Sequence, residues 1–288
     1  MAEIGLITFT RVALSIGQAV LPADRSTFST HQFTQPPLLA LFCWMRDEDW
    51  TVREAEVRWA EPRELRAALG LRRVPDDTTL YRFRRRLDAS VLEQALSAVV
   101  ARLRPQPSPP ATVAVDATGL TPGAIRTCFV KRAKDRAPGF TWRHWLQWVW
   151  AVDVDRRMIL AQTARRGPTN DGATLRPRVD TAPPQGPIGV VLAGAACDRE
   201  RHHQHVRPAV QAYRIMPAQR GRATWHIQGI RAHMRQHCPA PLYRRRGLIE
   251  SVCSAVKRNL SARAPGRSLY TQRLQALLLG VVYNIYRL

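Results

Sequence analysis

Lysine is almost missing from this chain. Of the 44 basic residues in 288, only Lys131, Lys134 and Lys257 are lysine, and the rest are arginine. Acid is scarce too: 22 Asp and Glu leave a formal net charge of +22. The five cysteines are odd in number and scattered, with no C-x-x-C among them. That excludes a disulfide framework and a four-cysteine zinc site, and a reduced, cytosolic chain fits best. Long hydrophobic runs are lacking; the most apolar C-terminal one, 276–283, is far short of the ~20 residues that span a bilayer, so no membrane partner is expected. The opening MAEIGLITFTRVALSIG has no basic leader before its apolar stretch, and a signal peptide is not expected. Internal repeats are also absent.

What is present is arginine-borne charge on an ordinary globular composition. Hydrophobic residues make up 45% and charged residues 23%, which argues against wholesale disorder. A surface this basic needs a polyanionic partner, and nucleic acid is the first candidate. The length fits one large domain or two unequal ones.

Residues up to about 103 read as helical. The stretch 36–46 is mostly apolar, 61–69 ends at Gly70 as a C-terminal cap, Asp77 is placed to cap a helix over 78–87, and another helix fits 91–103. RPQPSPPA at 104–111 cannot continue a helix and reads as a linker. Beyond it, 112–115 is a short β-type run ending at Asp116. The runs 145–154 and 158–163 form a hairpin around a polar turn, whose chemistry accounts for Asp153 and Asp155. Asn170 or Asp171 can cap a helix to about 179. The run 188–193 is apolar, 199–211 is helical except for Pro208, and 214–216 is a short strand. Two helices, 242–260 and 269–286, close the chain. This order predicts a mixed α/β layer architecture.

The sharpest pattern is Tyr243-x2-Arg246-x3-Glu250-x6-Lys257. On a helix these four residues fall within a stripe of about 60°. One face then presents a phenol, a carboxylate and two cations. A solvated face with an Arg246–Glu250 pair would have the same spacing. The scarcity of lysine weighs against that, because Lys257 marks a place where a compact ammonium is wanted.

This pattern resembles the signature of DDE transposases encoded by bacterial insertion sequences. AVDATGL at 114–120 resembles the family's first catalytic strand, with Asp116 as first acid. The stretches 30–40 and 69–87 resemble the helical N-terminal region of one subgroup, and 242–259 carries the glutamate motif. The resemblance implies an α/β fold with a ribonuclease-H-like mixed sheet flanked by helices and an all-α N-terminal region. It implies metal-dependent cutting and joining of DNA strands with Mg²⁺ or Mn²⁺. Two such ions about 3.5–4 Å apart activate the nucleophile and hold the leaving oxygen, and hard cations of this kind take carboxylate ligands. Asp116 and Glu250 would be ligands, while Tyr243, Arg246 and Lys257 would hold phosphates of the element's end. The implied partner is double-stranded DNA, both the terminal inverted repeats and the target, bound by a homodimer in the bacterial cytoplasm at the nucleoid.

The second acid departs from the family. Where its pattern is A-D-x-x-Y-D, this chain has AGAACD at 193–198. Gly194 falls at the ligand position, and Asp198 matches a later, noncatalytic Asp. Either Asp198 moves in as catalytic residue and metal ligand, or the copy has lost its chemistry. The readings left open are an active transposase, a noncatalytic DNA-binding remnant, and a structure-specific nuclease on the same fold.

Other candidates are weaker. His202, His203 and His205 read as solvent-exposed, with a metal or DNA role as the alternative. His233-x3-His237-Cys238 has zinc-like spacing but no clear fourth ligand and reads as surface. In 78–87, Leu80, Phe83 and Leu87 form an apolar stripe that leaves Arg82, Arg85 and Arg86 outward, as on a recognition helix or on the basic outer face of a bundle helix. Trp142, Trp145, Trp148 and Trp150 could stack on bases; Trp148 and Trp150 share a strand face and read as core. We expect a helical DNA-binding region over 1–103, a linker over 104–111 and the catalytic domain over 112–288.

Overall fold

The computed structural model describes residues 4–24, 32–105, 107–122, 145–167, 175, 186–218 and 229–288, with backbone alone over 207–210. Among them, six helices come first: α1 (Leu6–Val20), α2 (Gln35–Asp47), α3 (Val52–Arg58), α4 (Arg63–Ala68), α5 (Asp77–Arg86) and α6 (Ala89–Leu103). Their starts follow from capping side chains. Thr51 and Glu54 form a reciprocal capping box on α3, and Asp88 accepts the Ser90 N–H to start α6. The α5 cap is Asp76, which accepts the Thr79 N–H at 2.6 Å, one residue before the Asp77 expected from sequence. Asp77 already lies in the first turn, and its own N–H goes to Glu56. Gly70, just past α4, has φ +67°, the left-handed conformation that glycine adopts at a helix C-terminus.

A five-stranded sheet follows: β1 (Ala111–Leu120), β2 (Leu146–Asp153), β3 (Met158–Arg166), β4 (Ile188–Ala193) and β5 (Tyr213–Ile215), in the order β3-β2-β1-β4-β5. β1, β2 and β3 are antiparallel neighbours, while β4 runs parallel to β1 and β5 parallel to β4. This is the ribonuclease-H-like mixed sheet that the resemblance implies. The hairpin and β4 lie where the sequence placed them. β1 does not end at Asp116; it runs on to Leu120 because β2 stays paired with it as far as Leu120 and Leu146. Trp148 and Trp150 are core, 0% and 1% exposed. Trp142 and the helix expected to run to about 179 lie outside the described residues, apart from Leu175.

The remaining helices are α7 (Glu200–Val210), α8 (Gly229–His237), α9 (Ala240–Arg244), α10 (Leu248–Asn259) and α11 (Leu269–Ile285). α7 passes through Pro208 and ends at Gln211 with φ 52°. α11 is buried continuously from Ala276 to Ile285, the mark of a helix covered on every side. It packs on α2 and α6 on one side and on β3 on the other. β3 is a sheet edge, and Asn284 of α11 satisfies it: the Ile159 N–H donates to Asn284 Oδ1 at 3.0 Å, and Asn284 Nδ2 donates to the Ile159 carbonyl at 2.8 Å. Gln162 of β3 accepts from Trp148 Nε1 and donates to the Leu277 carbonyl. The proline-rich stretch is fastened as well, since buried Arg104 donates to the carbonyls of Pro109 and Pro187. No helix among the described residues is long and apolar enough to cross a membrane.

Gly280 lies where α11 meets this polar contact, and a Cβ there would run into the Gln162 carboxamide. Gly280→Ala is expected to cost about 1–3 kcal/mol through overpacking, read as a lower urea midpoint. In a Gln162→Ala background the cost should shrink by at least about 0.5 kcal/mol, the size of coupling expected between touching residues. An equal cost in both backgrounds would place the strain elsewhere.

Candidate active site

Asp116 sits inside β1 at the point where one of its neighbours departs. β2 still pairs beside it, with Trp150 directly opposite. On the other side, pairing with β4 stops at Val115 and Ala193. The chain then turns away through Gly194 into a 3₁₀ turn at Ala195–Cys197. A notch opens there, and the Asp116 side chain is 27% exposed in it.

The segment after α8 fills one side of the notch. Sequence periodicity predicts one helix over 242–260, but the structure breaks it into α9, a 3₁₀ turn at Arg245–Gly247 and α10. Gly247 stands at the junction and has no side chain to cap α10. The tighter turn brings Arg246 round to β1, where its Nη2 donates to Asp116 Oδ2 at 2.8 Å. Glu250, in the first turn of α10, is 72% exposed, with Oε1 3.9 Å from Arg246 Nη1. Arg245 reaches the Thr112 hydroxyl and pairs with Asp155, which holds the turn against the sheet. Tyr243 is half-buried beside the same group; burial pushes its phenol up, against the pull of Arg246. Lys257 lies on α10 about 10 Å along the axis from Glu250 at 1.5 Å per residue, half-buried.

Gly194 belongs to this constellation. A Cβ built on it would stand 3.5 Å from Arg246 Nη2, the same nitrogen that holds Asp116. Its φ of −69° suits any residue. A carboxylate here would face Asp116 across the guanidinium, and glycine offers none.

Asp198 is placed differently. Its carboxylate is fully buried and is gripped by Arg231 of α8, with Nη2 at 2.8 Å and Nε at 3.1 Å from both oxygens. His203 Nε2 lies 3.3 Å from Asp198 Oδ1, and burial pulls the His203 pKa down. His202 Nδ1 bonds the Cys197 carbonyl at 2.8 Å. Glu200 accepts weakly from the Ile230 and Arg231 N–H groups at the start of α8. This cluster ties α7 to α8. His202 and His203 are therefore buried, not solvent-exposed as expected, because the Cys197 carbonyl and the Asp198 carboxylate give their rings hydrogen-bond partners inside the fold. Arg231, the partner of Asp198, was missed, since nothing in local spacing links two residues so far apart in the chain.

His233 and His237 are exposed and stack on one another at 4.9 Å, and burial pushes the Cys238 thiol up. Among the described residues, no group of three or more His, Cys, Asp or Glu could hold a metal ion. On α5, Leu80, Phe83 and Leu87 are buried, while Arg82, Arg85 and Arg86 stand exposed.

Residues 107–285 match the family model described as Transposase DDE domain. No curated protein matches the chain.

Removing Arg231 would leave the Asp198 charge buried and half-satisfied. Arg231→Met is expected to destabilise the protein by about 3 kcal/mol, the size found when one partner of a buried pair is deleted, read in urea unfolding. Asp198→Asn should cost less, because an amide keeps hydrogen bonds to the guanidinium without a stranded charge. If both changes leave the midpoint unmoved, the Asp198–Arg231 pair has no structural role.

Proposed function

Since the chain belongs to the transposase DDE domain family, we propose that it binds the double-stranded ends of a mobile element and that its strand-cleaving chemistry is impaired at a single position, Gly194. The observation that carries this is the meeting of Asp116, Arg246 and Gly194. One acid of the site is engaged by a guanidinium, and the position facing it lacks a side chain.

The residues present do not fit a two-ion Mg²⁺ or Mn²⁺ centre. Asp116 and Glu250 supply carboxylates, Gly194 supplies nothing, and Asp198 is committed to Arg231. Two hard cations need more anionic oxygen than this. Asp198 is unsuited to fill the gap, because releasing it would strand both its own charge and that of Arg231. The same observation favours a stricter version, a DNA-binding remnant without cleavage.

DNA binding is supported separately. The Arg246 side chain is 21% exposed, and its Nε has no hydrogen-bond partner. Tyr243 and Lys257 extend the polar stripe, and a phosphate of the element's end suits that donor set. Arg82, Arg85 and Arg86 offer a second basic face on α5. Joining two ends requires two copies, so the reading includes a homodimer on DNA in the cytoplasm.

Gly194→Asp should raise Mg²⁺-dependent cleavage of element ends above that of the unaltered chain, and Asp116→Asn or Glu250→Gln in that variant should abolish it. The backbone at Gly194 accepts the new side chain without strain, so folding should be unaffected. Efficient cutting by the unaltered protein, lost on Asp198→Asn alone, would overturn the reading and make Asp198 the working ligand. Gln at Arg82, Arg85 and Arg86 together should weaken duplex binding by the full chain while leaving its melting temperature unchanged; unchanged binding would return that face to bundle surface.

A further inference from the structure

A groove of about 750 Å³ lies between α3, α5 and the segment 263–268 that leads into α11. Arg53, Arg84, Arg263 and Arg267 line it. Two acids share it, Asp49 and Asp77, and neither cancels these cations. Asp49 is held by the buried Arg46 at 2.8 Å and stands 3.9 Å from Arg263. Asp77 lies in the first turn of α5, where the helix dipole offsets its charge, and is 3.4 Å from Arg53. Arg53 remains 87% and Arg263 54% exposed. Arg84 lies over the Tyr81 ring at 5.4 Å, a contact that holds its guanidinium extended without neutralising it.

Both walls are fixed. The Thr121 N–H donates to the Ala262 carbonyl and the Ala264 N–H to the Thr121 carbonyl, a parallel bridge opposite Arg263. The Tyr270 hydroxyl, at the start of α11, donates to the Leu87 carbonyl just past α5. Thr121 directly follows β1, the strand of Asp116. From Asp116 to Thr121, extended chain covers about 17 Å, the rise of about five base pairs of duplex.

We propose that this groove is a second seat for duplex DNA, gripping its phosphodiester backbone about five base pairs from the site around Asp116 and Arg246. It rests on the DNA-binding reading above. α5 then works on two sides: at 100° per residue Arg84 points away from Arg82 and Arg86, into the groove, while those two face outward. A duplex suits the groove better than an unpaired strand. Two aromatic rings line the groove: Trp50, only partly exposed with Arg58 at 6.0 Å, and Tyr81, 45% exposed with Arg84 at 5.4 Å. Each is already paired with an arginine, which leaves no open run of rings on which successive bases could stack.

The test uses the full chain and a short mixed-sequence duplex, titrated over a range of salt. Each neutralised phosphate adds about 0.9 to the magnitude of the log–log salt slope. Replacing Arg53, Arg263 and Arg267 together with Gln should lower that magnitude by about 2–3 and weaken binding about tenfold or more at moderate salt, with an unchanged melting temperature. The Arg82, Arg85 and Arg86 variant serves as the second arm. If the unaltered chain binds with a steep slope and the groove variant keeps that slope, the groove is overturned and the DNA-binding reading stands. If the unaltered chain binds duplex without salt dependence, both fall. Loss of oligo(dT) binding with duplex binding intact would overturn the duplex assignment.

Discussion

The burial of α11 is the constraint on which the rest of the molecule depends. A helix apolar on nearly all sides has to be covered everywhere, and here the two layers that cover it come from the N-terminal helices and from the sheet that follows them. α2 and α6 supply one side and β3 the other. The helical N-terminal region is therefore part of the same hydrophobic core as the sheet, which runs without a gap from Phe9 to Ile285. Polar side chains inside that interface make hydrogen bonds across it. Asn284 serves the free edge of β3, and Gln162 joins Trp148 to the α11 backbone. Arg104 does the same for the stretch between α6 and β1.

Electrostatics divide the region around β1, β4 and the helices that follow into two clusters of different character. Around Asp198 the carboxylate and His203 are buried and hydrogen-bonded, and Arg231 reaches in from a partly exposed position to pair with that acid. Around Asp116 the groups are partly exposed and loosely matched: one carboxylate held, one nearly free in solvent, and a guanidinium nitrogen without an acceptor. Loose matching of this kind is what a site open to an incoming anion retains.

Much of this was legible in the sequence because it was written in local patterns. A short apolar run between Pro187 and Gly194 marked β4 to the residue, and the spacing of Leu80, Phe83 and Leu87 told which arginines of α5 face outward. Tyr243, Arg246 and Glu250 were found through their spacing, although they fall on α9, the 3₁₀ turn and α10 in succession. What was not legible came from pairings across the chain. β1 outruns Asp116 because β2 continues to pair with it, a partner that no local window contains. The break between α9 and α10 depends on Arg245 reaching the Asp155 turn. His202 and His203 are buried because Asp198 and the Cys197 carbonyl offer them partners, and Arg231 enters from a distant helix. The cap of α5 moved by one residue, since two adjacent aspartates compete for the role and only Glu56, far in sequence, decides between them.

The backbone at Gly194 has an evolutionary consequence. Its extended conformation, and a neighbouring guanidinium no nearer than ordinary van der Waals contact to an added Cβ, mean that nothing in the fold depends on glycine at that position. Where the third base is a pyrimidine, glycine and aspartate codons differ by a single base. A lineage can therefore pass between an acidic and an empty position by one point mutation, with no compensating change elsewhere in the core. A copy silenced in this way keeps its folded scaffold intact, and the step back remains as short as the step that silenced it.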